Sequence, residues 1–425
     1  MKYLRSWAGA LSASAALFCP AYAADAIVKA VPAPTAEPAW TSVFDIETRY
    51  ISWEGTRGSP TGFTAGTPGR GSQFYSPFAL QVAGQPNADV KVEFTARGGW
   101  VDARQSSAGG LTGSLQTTTD TTLSGTVTYL ALPGVQPFFS LNTNLPTGSR
   151  VLGPTQIATR MDPDLVEVAG YGEGFNIGPT FGANVGLSEN TLMTLSVGYT
   201  HRGQFDRDSV IGVGFANSRM QPGDATSFNV QLTHQAGPWT LVGGATYVWN
   251  GATRLDGVFI TQPGALFALN GSAAYAWNAR HRSTLAASWS TQQLNLTFDP
   301  TIPANVLEPL NSNSDTARLA FDHGYQIDET WTLGGNASWF RRNANAYRPT
   351  DGAFTPAKTK WSVGGSLKAQ VARNVSVTLK GERFWVHEHD KPDVVIPGFG
   401  AIPDTGIPRL NYTGWIIALG GTVAF

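Results

Sequence analysis

Charge is scarce in this chain. Only 14% of its 425 residues are Asp, Glu, Lys or Arg, well below the share of about 25% usual for water-soluble domains. Long apolar runs are missing as well. After the N-terminus nothing approaches the ~18 consecutive apolar residues that a membrane helix needs. Cysteine is almost absent, with Cys19 alone, so a disulfide framework is excluded. Only six His are present, and no Ser stands in a G-x-S-x-G context, the elbow of one large hydrolase class.

Other residues are abundant. Hydrophobic residues make up 42%, with 48 Gly, 13 Trp and 12 Tyr. Low charge, many aromatics and no long apolar run together fit a membrane β-barrel, where alternation dilutes the apolar residues. The last stretch, Tyr412 to Phe425, shows the pattern. Trp415, Ile417, Leu419, Gly421 and Val423 share one face of a period-2 strand, with Ile416, Ala418, Gly420, Thr422 and Ala424 between them. A final strand ending in Phe resembles the C-terminal signal of bacterial outer-membrane barrels, which implies the barrel-assembly machinery as a partner.

The first residues read as a secretory signal. Lys2 and Arg5 precede a mildly apolar Trp7 to Phe18, and Ala21-Tyr22-Ala23 is a small-x-small cleavage site. Bulky Phe18 argues against lipidation of Cys19. The expected organisation is a signal at 1–23, a flexible Pro/Ala-rich periplasmic tail at 24–39, and a barrel at 40–425. Losing Lys2 and Arg5 leaves 27 basic against 30 acidic residues, a net charge of −3, which gives nucleic acid no footing.

The chain then has a rhythm. Strand-like runs fall near 42–53, 74–83, 89–101, 121–131, 136–145, 175–187, 190–202, 224–235, 238–250, 265–278, 283–298, 314–327, 330–342, 359–372, 374–388 and 410–425. Tight turns such as Pro133-Gly134, Ala236-Gly237-Pro238 and Arg373-Asn374 join pairs of them. The other connections are long, among them 102–120, 146–174, 203–223, 251–264 and 299–313. The expected fold is all-β: a transmembrane, antiparallel, up-and-down barrel of 16 strands with short periplasmic turns and long extracellular loops. The weakest pair, 74–83 and 175–187, leaves 14 as the alternative.

Alternation also assigns faces. Trp239, Leu241, Tyr247 and Trp249, or Trp361, Val363 and Leu367, are expected toward lipid. Opposite them, Thr194, Ser196, Asn229, Gln231, Thr246, Ser288 and Ser290 give a neutral polar lumen. Inward charges fall on the other side of the ring: Asp45, Glu47, Arg49, Lys91, Glu93, Arg97, Arg318, Asp322, Lys368, Lys380 and Glu382. They are candidate pore-lining residues. This arc either polarises passing solutes or neutralises itself in cross-strand ladders, and its mixed signs favour the ladders.

Loop 146–174 is the candidate constriction. It carries Asp162, Asp164, Glu167 and Glu173 with Arg160 among them. Folded inward it presents these groups to the pore; folded outward its acids bind divalent cations between lipopolysaccharide phosphates. Rim histidines His201 and His387-Glu388-His389-Asp390 are the places a hydrolase or a metal would use.

One resemblance bears on function. Asn144-Leu145-Pro146-Thr147-Gly148, Asp162-Pro163-Asp164 and Gly178-Pro179-Thr180 resemble the outer-membrane family named for the meta-pathway of phenol degradation. The resemblance covers about 140–202 and implies movement of hydrophobic or aromatic compounds across the outer membrane. The tail at 24–39 is too short for the N-terminal hatch of a fatty-acid channel. The reading that follows is a passive channel for small neutral or aromatic solutes in the bacterial outer membrane, with no cofactor and no catalytic residues. Its alternatives are a hydrophobic-compound transporter with a plugged lumen and a rim-active hydrolase. Expected partners are outer-membrane lipid and lipopolysaccharide, with the oligomeric state open.

Overall fold

The computed structural model describes residues 40–55, 69–107, 112–153, 155–211, 214–299, 304–396, 398, 400–402, 406 and 409–425. The expected signal at 1–23 and tail at 24–39, with Cys19, lie outside the described residues. Sixteen wall positions follow in chain order: β1 (Trp40–Gly55), β2 (Gly69–Asn87), β3 (Val90–Ser107), β4, β5 (Val135–Leu145), β6 (Asn176–Ser188), β7 (Thr191–Arg202) and β8 (Ala225–Ala236). The second half holds β9 (Trp239–Asn250), β10 (Leu266–Ala276), β11 (His281–Gln292), β12 (Thr316–Gln326), β13 (Trp331–Arg342), β14 (Lys358–Ala372), β15 (Val375–Glu388) and β16 (Leu410–Ala424). β4 is two segments, Gly113–Thr118 and Thr121–Tyr129, both paired to β3.

Each strand pairs antiparallel with the next, and β1 pairs with β16 from Val43↔Ala424 to Gly55↔Tyr412. That closure removes the open edge that would otherwise template pairing with another chain. The expected 16-strand barrel is therefore the observed one, with Gly113–Thr118 as one additional strand segment. Gly134 and Gly237 take positive φ, 74° and 57°, in their turns, a backbone state that glycine enters without a Cβ clash.

The faces fall as alternation requires. Phe228, Leu232, Leu241, Trp249, Trp361, Val363 and Leu419 are exposed on the outer wall. Trp289, Trp339, Trp361, Trp385 and Trp415 mark one rim, and Trp40, Trp239, Tyr275 and Trp331 the other. Two such aromatic girdles around an apolar band match the two boundaries of a bilayer.

The connections differ from expectation in three places. The stretch expected as loop 102–120 is largely wall, because β3 runs to Ser107 and β4 begins at Gly113. The strand expected at 283–298 leaves the wall at Gln292. Loops 203–223, 251–264 and 293–313 are not irregular. They form a separate six-stranded sheet in the order Ala304–Leu307, Leu296–Asp299, Val258–Gln262, Thr253–Leu255, Gly214–Gln221, Phe205–Ile211. Their backbone donors and acceptors need partners, and three adjacent hairpins supply one another.

Candidate functional site

The lumen wall has two chemistries. From β6 to β9 its inward side chains are neutral, apart from Arg202 at the end of β7, and bond across strands: Thr194 Oγ1 to Asn184 Oδ1 at 2.7 Å, Thr246 Oγ1 to Asn229 Oδ1 at 2.9 Å, and Asn229 Nδ2 to Ser196 Oγ at 3.4 Å. From β12 round to β3 the inward face carries the charges. Against this second arc lies loop 146–174.

The loop starts at the break in β4. The Asp120 carboxylate accepts from Gly148 N at 2.9 Å, Asn144 Nδ2 at 2.7 Å and Glu173 N at 2.7 Å. One side chain thus ties both ends of the loop. Thr147 adds to it: its hydroxyl donates to Thr119 O at 2.8 Å, and its carbonyl accepts from Thr118 Oγ1 at 2.6 Å. A Cβ on Gly148 would sit 1.7 Å from Tyr171 O, so only glycine allows the two ends to approach. The segment 144–148 therefore has a physical role here, closing the base of the loop.

The body of the loop is apolar. Leu152, Met161, Leu165, Val166, Val168 and Tyr171 are buried in one cluster with the inward-facing Ile51, Trp53, Val101, Ala103, Leu115, Phe384, Val386, Leu410 and Tyr412. Each fully buried aliphatic side chain stabilises docking by about 1.5–3 kcal/mol. Gln73, fully buried on β2, receives Val168 N on Oε1 at 3.1 Å and donates Nε2 to Val168 O at 2.7 Å. Burial holds the Tyr171 phenol up at about 12, and its hydroxyl donates to Thr159 O at 2.6 Å.

Ion pairs set the register of the loop. The Lys358 ammonium, 1% exposed, contacts Asp162 and lies 3.1 Å from both Asp164 Oδ2 and Glu388 Oε2. Arg342 Nη1 is 3.0 Å from Asp164 Oδ2, and Lys360 Nζ donates to Asp164 O at 3.2 Å. Farther along, Arg49 bridges Glu47 and Glu167, and Lys380 reaches Glu47 Oε2 at 2.9 Å. Removing one member of such a buried set costs about 3–5 kcal/mol, while the intact set contributes little net stability because desolvation offsets attraction. The apolar cluster holds the loop and the ion pairs fix its position.

The expected site residues sort accordingly. Glu47, Arg49, Lys380, Asp162, Asp164 and Glu167 come together. Asp45 accepts from Thr422 Oγ1 at 2.6 Å, and Lys91 pairs with Glu93 at 2.8 Å, both away from the loop. Arg97 and Lys368 also face the lumen, Lys368 between Thr332 and Thr378. Arg160 donates to Arg150 O at 3.3 Å, and Glu173 stays at the loop base. Lys358, Lys360, Arg342, Glu388, Gln73 and Asp120 complete the docking. Inward parity on β14 would have found both lysines, and Glu388 was hidden within its histidine cluster. At the rim, His201 Nδ1 lies 3.1 Å from Asp224 Oδ1, and His387 Nδ1 lies 2.7 Å from Asn411 Oδ1.

A cavity of about 310 Å³ remains between the loop and the wall. Pro163 to Glu167 form one side of it, and Arg318, Phe340, Lys360, Glu382 and Ile416 the other. The Arg318 guanidinium carbon lies 4.6 Å from the centre of the Phe340 ring.

The closed wall, its apolar belt and its two girdles decide the compartment. This is a bacterial outer-membrane barrel. Among solved structures, an outer-membrane channel from Pseudomonas putida F1 is 12% identical at a TM-score of 0.39, covering 63% of this chain and 93% of that one. A FadL homologue from Pseudomonas aeruginosa is 10% identical at a TM-score of 0.42, covering 90% of each chain. A deletion mutant of the monoaromatic hydrocarbon channel TodX is 12% identical at a TM-score of 0.41, covering 92% and 91%. No protein-family model matches the barrel, and no curated protein matches it in sequence. At these scores the neighbours add nothing to the strand pairing, which carries the fold by itself.

Proposed function

We propose that this barrel is a channel for passive diffusion of small neutral or aromatic solutes, narrowed by loop 146–174. The observation that carries the reading is the position of the loop. It packs against the part of the charged arc that holds Arg49, Arg342, Lys358 and Lys360, on the side away from the cross-bonded polar wall of β6 to β9. A solute then meets hydroxyls and amides on one side and the loop on the other. Self-neutralised charges give only a weak preference by sign. Phe340 and Ile416 give the lining of the 310 Å³ cavity an apolar part. No catalytic role is assigned to the rim histidines.

The test is single-channel conductance of the purified protein in a planar bilayer, with folding scored by heat-modifiable gel mobility. Stable steps that neutral or aromatic solutes block support the channel. One observation favours a second reading, a plugged transporter: the apolar cluster joins loop and wall without a break. Silence from folded protein would select it.

A further inference from the structure

The outer wall carries a feature that a lipid-facing surface does not need. Across five neighbouring strands, one row of outward side chains reads Arg383, Trp415, Ser52, Ser72 and Arg104. These residues line a surface cavity of about 690 Å³. Arg383 is the informative one. Its sequence neighbours Glu382 and Phe384 face the lumen, while its own guanidinium lies on the outside, 4.8 Å from the Trp415 ring centre and 5.9 Å from that of Trp385. Among the described residues no carboxylate lies within ion-pair distance of it. An arginine on the lipid face costs up to about 2–4 kcal/mol at mid-bilayer and little near the boundary. Flanked by girdle tryptophans, Arg383 stands at that boundary, where lipid headgroups begin.

The row has a second cationic end. Arg104 donates Nε and Nη2 to Asp102 at 3.1 and 2.8 Å, and its side chain remains 65% exposed. The two arginines are four strand spacings apart, roughly 19 Å at ~4.8 Å each. Ser52 and Ser72 make a low polar floor between them. A single phosphate fills only one end of such a row, whereas a sugar headgroup carrying two phosphates fills both and lays its hydroxyls on the serines.

We infer that the outer rim of β15, β16 and β1 to β3 is a binding site for a bisphosphorylated sugar headgroup of an outer-leaflet lipid. Guanidinium forks match phosphate oxygens bidentately, and the tryptophans stack beside the sugar and acyl junction. Arg383 and Arg104 stand on the outward face of their strands, so variants at these two positions are expected to leave conductance unchanged.

The test uses the folded full-length protein in phosphatidylcholine nanodiscs. Tryptophan quenching and native mass measurement follow titration with bisphosphorylated lipid A, with the same lipid stripped of phosphate, and with inorganic phosphate. The parent binds bisphosphorylated lipid A about tenfold more tightly than the stripped lipid. Arg383→Gln and the double variant Arg383→Gln/Arg104→Gln remove that preference. Arg373→Gln, in a periplasmic turn, keeps it. Arg383→Lys retains charge without the fork and falls between, which keeps the test valid if the glutamine variants fold poorly. Equal binding of the stripped lipid overturns the inference. So does unchanged binding in both glutamine variants, and so does competition by inorganic phosphate as effective as that of lipid A.

Discussion

Two sets of long loops meet the same lumen and settle in opposite ways. On the neutral side, the loops between β7 and β12 pair backbone to backbone in a sheet of their own. On the charged side, loop 146–174 goes to the wall and is held by side chains. The difference follows from the inner faces below them. A wall of Ser, Thr and Asn already satisfies its hydrogen bonds across strands and offers an incoming loop nothing. A wall with Lys358, Lys360, Arg342 and Arg49 beside Ile51, Trp53 and Phe384 offers both charge and apolar area. The loop thus settles on the side of the ring whose charges had most need of a partner.

The contrast can be broken most sharply at Lys358. Lys358→Ala leaves Asp162, Asp164 and Glu388 around one remaining arginine, at a cost of about 3–5 kcal/mol. The expected result is a large rise in single-channel conductance, with new protease cleavage between 149 and 170. Unchanged conductance and cleavage would show that the apolar cluster alone docks the loop.

Gly148→Ala attacks the base of the loop. The added Cβ meets Tyr171 O, and overpacking of this kind costs about 1–3 kcal/mol. Hydrogen exchange in 149–172 should accelerate while β8 to β12 stay protected; acceleration everywhere would mean that the loop base supports the whole wall.

The neutral side supplies the reverse test. Replacing the hairpin Phe205–Ile211 and Gly214–Gln221 by a short Gly-Ser turn removes two strands of the outer sheet. Conductance in the open state should not change, and a change would place that sheet in the solute path.

Tyr171 gives the smallest effect. Its phenol is raised to about 12 by burial. Stability from the protonated form is thus complete below the ordinary tyrosine value near 10 and lost as pH climbs through 12. Tyr171→Phe removes one hydrogen bond, worth about 1 kcal/mol. It should also delete one late tyrosinate step from an ultraviolet pH titration; an unaltered titration would deny the burial.

Much of this was legible in the sequence because a barrel wall has a strict period. Strand positions, closure and face assignments followed from alternation and turn residues, as at Trp239 to Trp249. The charged arc was legible for the same reason. What periodicity does not encode is where a loop goes. The acids of 146–174 were visible, yet their partners Lys358 and Arg342 lie about two hundred positions away, and no local pattern links them. Asp120 was hidden in what read as a loop. The outer hairpins were short and weakly alternating, so their pairing rests on neighbours that spacing alone does not reveal.

The separation between loop and clasp has a consequence in time. Asp162 meets Lys358 across 196 residues of chain, so contacts of this kind form late in folding. Asp120 can tie the ends of the loop as soon as the first strands pair, but the clasp must wait for β13 to β15. Loop 146–174 is therefore fastened only once β13 to β15 stand beside it, and before that stage its base alone holds it.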